Sequence, residues 1–505
     1  NLTVEASASM TVVYAGHNTM RAFGDGGNGA IEFVLESSMT GALVERNFLG
    51  GAGQDSSESG FSFEVQPSAV TQTRVLNNVA AFSSGGGFTI ESDGPAPQLI
   101  NNTAAYNGSQ NIDQAGIENA SDVSVFPSDV QVYVLNCVAT HNGADDVDAD
   151  RGVRPNYSLI RDQSTPTGLG NLGGEPFYLY GLESLTGLGQ AGTAEIYSDL
   201  FRTRNSSAAI NAGHPDPFWN DRDGSRNDMG AFGGPNAGPI GATFDGMAMP
   251  LVYVATFPSP HLYTGRALIS STETLRFAFS RAVDPASVIA GIRVRDGGAD
   301  VAGNFSLEGD GRIVSFTPAT TLTPNGGAFV DVAFTAALAA ADGQPLGYAW
   351  RERIAVRPLW ASAEVEPNDD GVAGLSAADF LSAQPITAGP GPWVVEIQSS
   401  VASADDFDVY AVVAQAGDRL QATTLDARLA GGGVDGAIRL DLHSSIARLT
   451  EGSYGCFLPD NGVAINGDAF LDHTFAEAGT YYLVVSNPDA AAPPQTYNLL
   501  TVLDR

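Results

Sequence analysis

The 505-residue sequence contains no lysine: all 24 of its basic residues are arginine, against 57 aspartate and glutamate residues. The formal net charge is therefore −33 at pH 7. Nucleic-acid binding needs clustered basic side chains that neutralise phosphates, so we expect no nucleic acid as a partner. An anionic membrane surface would repel the chain for the same reason.

Long apolar runs are missing as well. No stretch reaches the roughly 18 apolar residues that a membrane-spanning helix needs, so we expect no membrane insertion. Hydrophobic residues nevertheless make up 43% of the chain, too many for a disordered acidic protein. Together with 59 glycines and 27 prolines, this composition favours a loop-rich, all-β protein. Single cores rarely grow beyond about 250–300 residues, so several domains are expected.

Cysteine is nearly absent, and its two copies, Cys137 and Cys456, lie far apart in the chain. Neither has a second cysteine nearby with which to share a metal site. We therefore expect both to be small buried side chains rather than a disulfide or a metal site.

Two changes in composition divide the chain into domains. Residues 231–250 form a run rich in glycine and proline, and residues 356–368 form a second run with proline and small residues. Such runs are typical of linkers. They predict three segments, at 1–245, 246–358 and 363–505.

Internal repeats occur in the first segment. Residues 76–82 (LNNVAAF) return at 100–106 (INNTAAY) and at 135–141 (LNCVATH), with a looser relative at 44–48. Periods of this size are typical of solenoids with loops of unequal length. Short β-rich runs between Gly, Asn and Ser turns favour a parallel β-helix, in which aligned asparagine amides stack into a ladder. The alternative is an irregular sandwich with coincidental Asn-Asn pairs.

The end of this segment carries the most specific pattern. Residues 207–213 (SAAINAG) and 221–234 (DRDGSRNDMGAFGG) resemble the closing motif of right-handed parallel β-helix proteins of bacterial surfaces, the pectate-lyase-like superfamily in its broad sense. Alanine and asparagine stand where the usual motif has proline and its first aspartate. The resemblance implies that residues 1–245 are the C-terminal portion of a longer right-handed solenoid.

The closing motif also contains candidate metal ligands. Asp221, Asp223 and Asp228 put three carboxylates around the turn at Gly224, and such hard oxygen ligands suit Ca²⁺. An equally weighted alternative needs no ion: Asp223 and Gly224 form a tight turn, and Asp228 caps a neighbouring backbone.

Two further patterns resemble binding sites but are better explained as loops. Residues 168–173 spell GxGxxG but lack the strand and helix that a dinucleotide site needs, so we interpret them as a loop. The acidic run at 145–150 could hold a cation, although a solvated loop is the usual explanation.

The second segment shows short strands with alternating hydrophobicity at 275–279, 292–295, 314–316 and 329–334. Asp-Gly and Asn-Gly turn signals separate them, a pattern typical of a sandwich of about 100 residues. With the runs at 280–288, 316–319 and 322–324, it resembles the bacterial Ig-like domains of surface-layer and adhesive proteins. The resemblance implies a spacer or binding module without catalytic residues.

The third segment carries ordered motifs at 364–370, 405–410, 416–418, 478–485 and Tyr497. It resembles the bacterial pre-peptidase C-terminal domain over nearly its whole length. The resemblance implies a jelly-roll-like β-sandwich, so the predicted fold is all-β: a right-handed parallel β-helix, an Ig-like β-sandwich and this C-terminal β-sandwich.

The same resemblance implies a second calcium site, because calcium-binding members hold the ion between the acidic opening and the D-x-D strand. Six oxygen-bearing side chains would match the coordination number of Ca²⁺. The implied ligands are Glu364, Glu366, Asn368, Asp369, Asp406 and Asp408. The alternative is a solvated linker turn.

Catalytic motifs are missing from the sequence. The six histidines include no HExxH pair, and no GxSxG nucleophile motif occurs. Lyases of the β-helix shape that the first segment resembles use a lysine or arginine base, so only the ten arginines of residues 1–245 could serve. A glycoside hydrolase needs two carboxylates at a set separation, which a sequence does not place.

We therefore expect a secreted, extracellular or cell-surface protein with a structural or adhesive role, stabilised by Ca²⁺ and non-catalytic. Assembly into a surface layer or filament would make further copies, other surface proteins or glycans its partners. The alternative is a secreted polysaccharide lyase or glycoside hydrolase that acts on the β-helix face.

Overall fold

The computed structural model of the chain is all-β, with both parallel and antiparallel sheets. None of the helices within its described residues is long and apolar enough to cross a membrane. The structure describes residues 2–6, 12–21, 29–35, 41–50, 59–65, 73–92, 97–108, 114–120, 132–143, 145–148, 153–162, 170–179, 198–215, 217–238, 240, 251–257, 268–269, 271–322, 329–356, 362–363, 380–381, 383–386, 393–401, 407–426, 439–444, 447–451, 470–486 and 495–504.

Strands β1 to β18 lie in parallel sheets that the chain visits in turn, so that strands of successive turns pair with one another. The first sheet contains β1 (Leu2–Ala6), β4 (Gly29–Leu35), β7 (Ser59–Val65), β10 (Phe88–Ser92) and β13 (Ile117–Asn119). The second contains β2 (Val13–Gly16), β5 (Ala42–Glu45), β8 (Thr73–Leu76), β11 (Gln98–Ile100), β14 (Val132–Leu135) and β16 (Val153–Asn156). The third contains β3 (Thr19–Arg21), β6 (Phe48–Gly50), β9 (Val79–Ala81), β12 (Thr103–Ala105), β15 (Val138–Thr140), β17 (Leu159–Ile160) and β18 (Leu172–Gly173).

The sequence repeats stack in register. Leu76 pairs with Ile100, and Ile100 pairs with Leu135, as expected for repeats that occupy successive turns. Aromatic side chains stack inside the three sheets, with ring centroids 4.8 Å apart for Phe61 and Phe88. The GxGxxG run, interpreted above as a loop, instead ends in β18, because its last two residues pair with β17.

An asparagine ladder connects successive turns, as predicted from the repeats. Asn18 Nδ2 donates to Asn47 Oδ1 at 2.8 Å, Asn47 Nδ2 to Asn78 Oδ1 at 2.9 Å, and Asn78 Nδ2 to Asn102 Oδ1 at 3.0 Å. Cys137 takes the next position, where its Sγ accepts a hydrogen bond from the Asn102 backbone N–H at 3.3 Å. Burial raises the pKa of the Cys137 thiol to about 12, so this cysteine is an inert ladder member, as expected. Cys456 lies outside the described residues.

The segment from residue 251 to 356 forms two sheets that are mainly antiparallel. One contains β19 (Tyr253–Phe257), β21 (Leu275–Phe279), β25 (Ile313–Pro318) and β24 (Gly303–Glu308). The other contains β20 (Leu268–Ile269), β27 (Trp350–Val356), β26 (Phe329–Phe334), β22 (Ile292–Asp296) and β23 (Ala299–Asp300). All the strands predicted for this segment are present.

One α-helix in this segment was not predicted. Helix α1 (Pro285–Gly291) begins where the Asp284 carboxylate accepts a hydrogen bond from the Ala286 backbone N–H at 3.1 Å. An aspartate cap followed by proline is a common helix start. The helix is short, so its seven residues left little periodicity to detect.

The third segment also has two main sheets. One contains β28 (Ser362–Ala363), β30 (Trp393–Val401), β37 (Gln495–Asp504), β32 (Arg419–Asp426) and β35 (Phe470–Thr474). The other contains β29 (Gln384–Pro385), β31 (Phe407–Ala414), β36 (Gly479–Ser486), β33 (Arg439–Ser444) and β34 (Ala447–Glu451). A separate apolar core includes Tyr410, Leu420 and Leu483. The motif runs at 405–410 and 478–485 and Tyr497 contribute to β31, β36 and β37.

We predict that Asn78→Ala lowers the free energy of unfolding by about 2–4 kcal/mol. The fully buried Asn78 amide donates to the Val44 and Leu76 carbonyls and accepts from Asn47, so its loss leaves several buried groups without partners. Asn18→Ala is the matched control, because Asn18 is only half-buried and occupies the end of the observed ladder. Urea unfolding of both variants measures the difference; equal losses would contradict a cooperative ladder.

Candidate functional site: a buried charged joint

The outer face of the second parallel sheet is buried. Successive residues of a strand point to opposite faces, and Val75 and Leu76 belong to different apolar clusters. Val75 packs inside the three sheets, whereas Leu76 shares a cluster with Tyr253 and Trp350 of the following segment. The parallel sheets and residues 251–356 therefore have one continuous core, across a contact that we call the joint. It comprises Tyr14, Glu45, Arg46, Arg74, Tyr253, Tyr348, Trp350 and Glu352.

Arg74 is the central side chain of the joint and is only 2% exposed. Its Nη2 donates to the backbone carbonyls of Tyr253 (3.3 Å) and Val254. Its guanidinium carbon lies 4.5 Å from the ring centre of Tyr253 and 4.6 Å from that of Trp350. A buried guanidinium needs acceptors and aromatic faces, and the second segment supplies two acceptors for Nη2 and two aromatic rings. Nε and Nη1 are buried without a hydrogen-bond partner among the described residues.

A carboxylate on each side balances the buried arginines. Glu45, fully buried on β5, accepts hydrogen bonds from Tyr14 at 3.0 Å and from Tyr348, 303 residues away, at 2.8 Å. Glu352 lies 4.0 Å from Arg74 Nη1 and accepts hydrogen bonds from Tyr253 at 3.2 Å and Trp350 at 3.1 Å. Two arginines and two glutamates thus make the joint neutral overall, which limits the cost of burying these charges.

Burial controls ionisation in and beside the joint. It raises the pKa of Tyr348 well above its ordinary value, and the Glu45 carboxylate raises that pKa further. The phenols therefore stay protonated and continue to donate to the carboxylates. Beside them, burial lowers the pKa of His17 to about 4, so this imidazole is neutral at neutral pH.

The closing-motif segment runs back along the turns of the parallel sheets. Each turn residue that it contacts has a positive φ, a conformation that suits asparagine. As the segment advances from residue 214 to 236, its partners move from the later turns to the earlier ones. The hydrogen bonds are His214 N to Asn136 Oδ1 (2.7 Å), Asn101 Nδ2 to the Asp228 carbonyl (2.9 Å), Asn77 Nδ2 to the Gly233 carbonyl (2.7 Å) and Arg46 Nε to the Asn236 carbonyl (3.0 Å).

The three aspartates of the closing motif hold this segment in shape. Asp221 accepts hydrogen bonds from the backbone N–H groups of Gly234 and Asp228, and burial raises its pKa to about 6. Asp228 accepts from Asn211 N at 2.7 Å, and exposed Asp223 accepts from its own turn. Across the described residues, no group of three His, Cys, Asp or Glu side chains is arranged to hold a metal ion. The turn-and-cap alternative accounts for these contacts, and calcium binding here stays a prediction.

The second set of predicted calcium ligands is only partly visible. Five of the six side chains lie outside the described residues: Glu364, Glu366, Asn368, Asp369 and Asp406. The sixth, Asp408, is fully buried on β31, where Ser399 Oγ donates to its Oδ2 at 3.2 Å. A buried carboxylate on the predicted strand fits a hard cation, and the site stays a prediction.

A polar cluster on the last parallel turns contains Arg161, one of the arginines that a lyase could use as its base. Arg161 Nε lies 2.8 Å from Glu175 Oε1, and His141 Nε2 lies 3.5 Å from Glu175 Oε2. The hydrogen bond with Glu175 raises the pKa of Arg161, so even less of this side chain is in the unprotonated form that a base needs. The ion pair with Glu175 therefore argues against Arg161 as the base in proton abstraction.

The acidic run at 145–150 contains a buried aspartate that accepts hydrogen bonds. Asp146 is only 2% exposed, and its Oδ1 accepts hydrogen bonds from both the backbone N–H and the side chain of Asn142. Asn142 in turn accepts from Asn107, so Asp146 belongs to a second ladder. Burial raises the pKa of Asp146 to about 6.

Sequence reasoning missed the joint. Arg46 and Arg74 were counted only among the possible lyase bases, and Glu45 was not singled out. The available signal was Arg74 itself, a charged residue in the short strand TRVL of a repeat that otherwise reads as buried. A charge in such a strand indicates a buried partner elsewhere in the chain.

No protein-family model matches the chain, and no curated protein matches it either. Among solved structures, the pre-peptidase C-terminal domain of a Bacillus anthracis collagenase is 20% identical, covering 24% of this chain and 94% of that chain, with a TM-score of 0.16. The S-layer protein rSbsC is 16% identical, covering 24% of this chain and 16% of that chain, with a TM-score of 0.17. The Bacteroides ovatus protein SGBP-B of a mixed-linkage glucan utilization locus is 12% identical, covering 52% of this chain and 61% of that chain, with a TM-score of 0.19. At these values the similarities establish no family.

We predict that Arg74→Met lowers the free energy of unfolding by about 3–5 kcal/mol, because it leaves Glu352 without its buried cation and two carbonyls without a donor. Arg276→Met is the matched control: Arg276 also pairs with a glutamate, Glu308, but both side chains are about 40% exposed. An exposed pair contributes less than about 1 kcal/mol. Denaturant unfolding of both variants gives the comparison, and a small loss for Arg74→Met would show that the joint is not stabilising.

Proposed function

We propose that this chain is a secreted, non-catalytic structural protein of the extracellular space or cell surface. In this proposal residues 1–245 wind as a right-handed parallel β-helix, residues 246–358 form an Ig-like β-sandwich, and residues 363–505 form a jelly-roll-like β-sandwich. Support for the helix comes from the three parallel sheets visited in turn and from the side-chain ladder that connects their turns.

The observation that carries the proposal is the buried joint. Domains within one chain move relative to each other unless their interface is large and apolar. Here Arg74, Glu45 and Leu76 are buried against residues more than 170 positions later, in a shared core. Such a contact suits a protein whose task is to keep a fixed shape rather than to open and close around a substrate.

The third segment is also packed against the other two. Val394 and Val502 share a small buried cluster with Phe329 and Ala355 of the second segment. Arg419 lies over the ring of Tyr133 in the parallel sheets, with 4.0 Å between its guanidinium carbon and the ring centre. Contacts from this segment to both of the others support one continuous body. Its partners would be further copies, other surface proteins or glycans.

The proposal predicts that the purified chain does not cleave acidic polysaccharides. Incubation with uronate-containing polymers should produce neither the ultraviolet absorbance of unsaturated uronates nor new reducing ends. A known lyase assayed beside it is the positive control. Product that grows with protein concentration would contradict a purely structural role and favour the alternative, a polysaccharide lyase or glycoside hydrolase.

We also propose that Ca²⁺ stabilises the third segment, in a site formed by Glu364, Glu366, Asn368, Asp369, Asp406 and Asp408. The chemistry of the set supports this, because it consists of oxygen ligands only. Asp408 supports it further, as a fully buried carboxylate on a strand that a cation would neutralise.

Ca²⁺ should therefore raise the Tm of the chain relative to EDTA, since a ligand that binds only the folded state stabilises it. Asp408→Asn should abolish most of that shift. Asp418→Asn is the matched control, because Asp418 is also a buried aspartate of this segment but accepts from Gln415 N at 2.8 Å. Equal melting curves in Ca²⁺ and EDTA for the unmodified chain would refute the calcium site.

A further inference from the structure

Negative charge is unevenly distributed along the chain. Residues 1–245 contain 28 acidic residues and ten arginines, and residues 359–505 contain 20 acidic residues and five arginines. The middle segment, 246–358, contains nine of each and is neutral. An acidic molecule can therefore approach the middle segment without the net repulsion that it meets elsewhere.

Four arginines of this segment share one face of a sheet. Arg293 and Arg295 on β22 alternate with buried Ile292 and Val294, so both point away from the core. Arg351 and Arg353 lie on β27. Strand β26 lies between β22 and β27 and pairs in register with both. We call the surface formed by Arg293, Arg295, Arg351 and Arg353 the arginine face.

The strand register aligns the residues of this face in two rows that run across β22, β26 and β27. In one row the central β26 residue between Arg295 and Arg353 is Asp331, whose Oδ1 lies 3.0 Å from Arg353 Nε. In the other row the central residue between Arg293 and Arg351 is Ala333. No acidic side chain of β26 lies between the arginines of that second row.

Neighbouring acids neutralise the face only in part. Asp300, at the sheet edge, lies 3.3 Å from Arg293 and 2.9 Å from Arg295. Arg293 and Arg295 therefore share this one carboxylate, although each guanidinium has five N–H donors. Arg293 and Arg295 are 50% and 52% exposed, and Arg351 is exposed as well. Two half-exposed arginines that share one aspartate leave a positive edge on a strongly acidic protein.

The arginine face borders a contact that is already formed. Phe329 and Ala355 pair in register on the same two strands and are buried against Val394 and Val502 of the third segment. The third segment therefore covers the adjacent part of this sheet face. The row at 331 lies next to that covered part, with Asp331 and Arg353 32% and 35% exposed, and the row at 333 is one step farther from it.

We propose that the arginine face binds the acidic first segment of a second copy of this chain. Charge complementarity supports this occupant, because residues 1–245 carry the largest negative charge of the three segments. Asp145 and Asp162, on its last turns, are exposed. A contact between two different surfaces of identical chains propagates into an open chain of molecules. This inference rests on the proposed structural function and names the surfaces through which copies assemble.

Ionic strength should affect such a contact in two directions. At about 0.01 M salt the Debye length is about 30 Å, so whole molecules of charge −33 repel one another. At about 0.15 M it is about 8 Å, which screens this repulsion but leaves close guanidinium–carboxylate pairs effective. At about 1 M the pairs are screened as well. Association should therefore be strongest at intermediate salt.

Sedimentation velocity of the intact chain at these three ionic strengths tests the inference. We expect association at intermediate salt and monomers at both extremes. Arg293→Ser with Arg351→Ser should weaken the association at least about tenfold. The matched control is Arg276→Ser with Arg312→Ser, which changes the charge equally at exposed positions off this face and should leave association unchanged.

The acidic partner surface has its own test. Asp145→Asn with Asp162→Asn should also weaken association, whereas Asp310→Asn with Asp342→Asn in the neutral segment should not. Thermal unfolding of every variant identifies any that fails to fold. Monomers at all three ionic strengths, equal weakening by the control arginine pair, or capture of an acidic polysaccharide by a chain that stays monomeric would each overturn this inference. None of these outcomes bears on the absence of catalysis, which the polysaccharide assay tests separately.

Discussion

The burial of Arg74 is the constraint on which the arrangement of this chain depends. A guanidinium on the outer face of a parallel sheet must find acceptors, and the carbonyls of Tyr253 and Val254 provide them. Leu76 and its neighbours on the same face need an apolar cover, which the same segment supplies. The second segment thus supplies both the acceptors of Arg74 Nη2 and the apolar cover of this face, which ties its position to the surface of the first segment.

The parallel region uses polar side chains in two ways. Inside the turns, Asn47, Asn78 and Asn102 satisfy buried backbone groups and connect one turn to the next. Along the outside, Asn77 and Asn101 bind the backbone of the closing-motif segment. The segment thus acts as a strap over several turns, and its aspartates keep the strap folded. Ladder, strap and joint together explain how a sheet stack with so many buried polar groups is stable.

The repeats, the ladder and the strands of the second segment could be predicted because their signals are local. Period-2 alternation marks Leu275–Phe279 and Phe329–Phe334, and the Asn-Asn repeats mark successive turns. The partners in the joint could not be predicted: a charge in a buried strand, such as Arg74, indicates that a partner exists, but no local pattern shows that Glu45 meets Tyr348 across 303 residues. The role of Asp221 was also hidden, since a carboxylate that caps backbone N–H groups and one that binds a cation have the same sequence pattern.

We infer from the joint that the first two segments open as one cooperative unit. Native-state hydrogen exchange of the intact chain, measured across increasing denaturant, tests this most directly because it reports the opening free energy of each strand. We expect β8, which carries Arg74, and β27, which carries Trp350 and Glu352, to converge on one opening free energy. If β27 exchanges through an opening that leaves β8 fully protected, the two segments are independent and the claim is wrong.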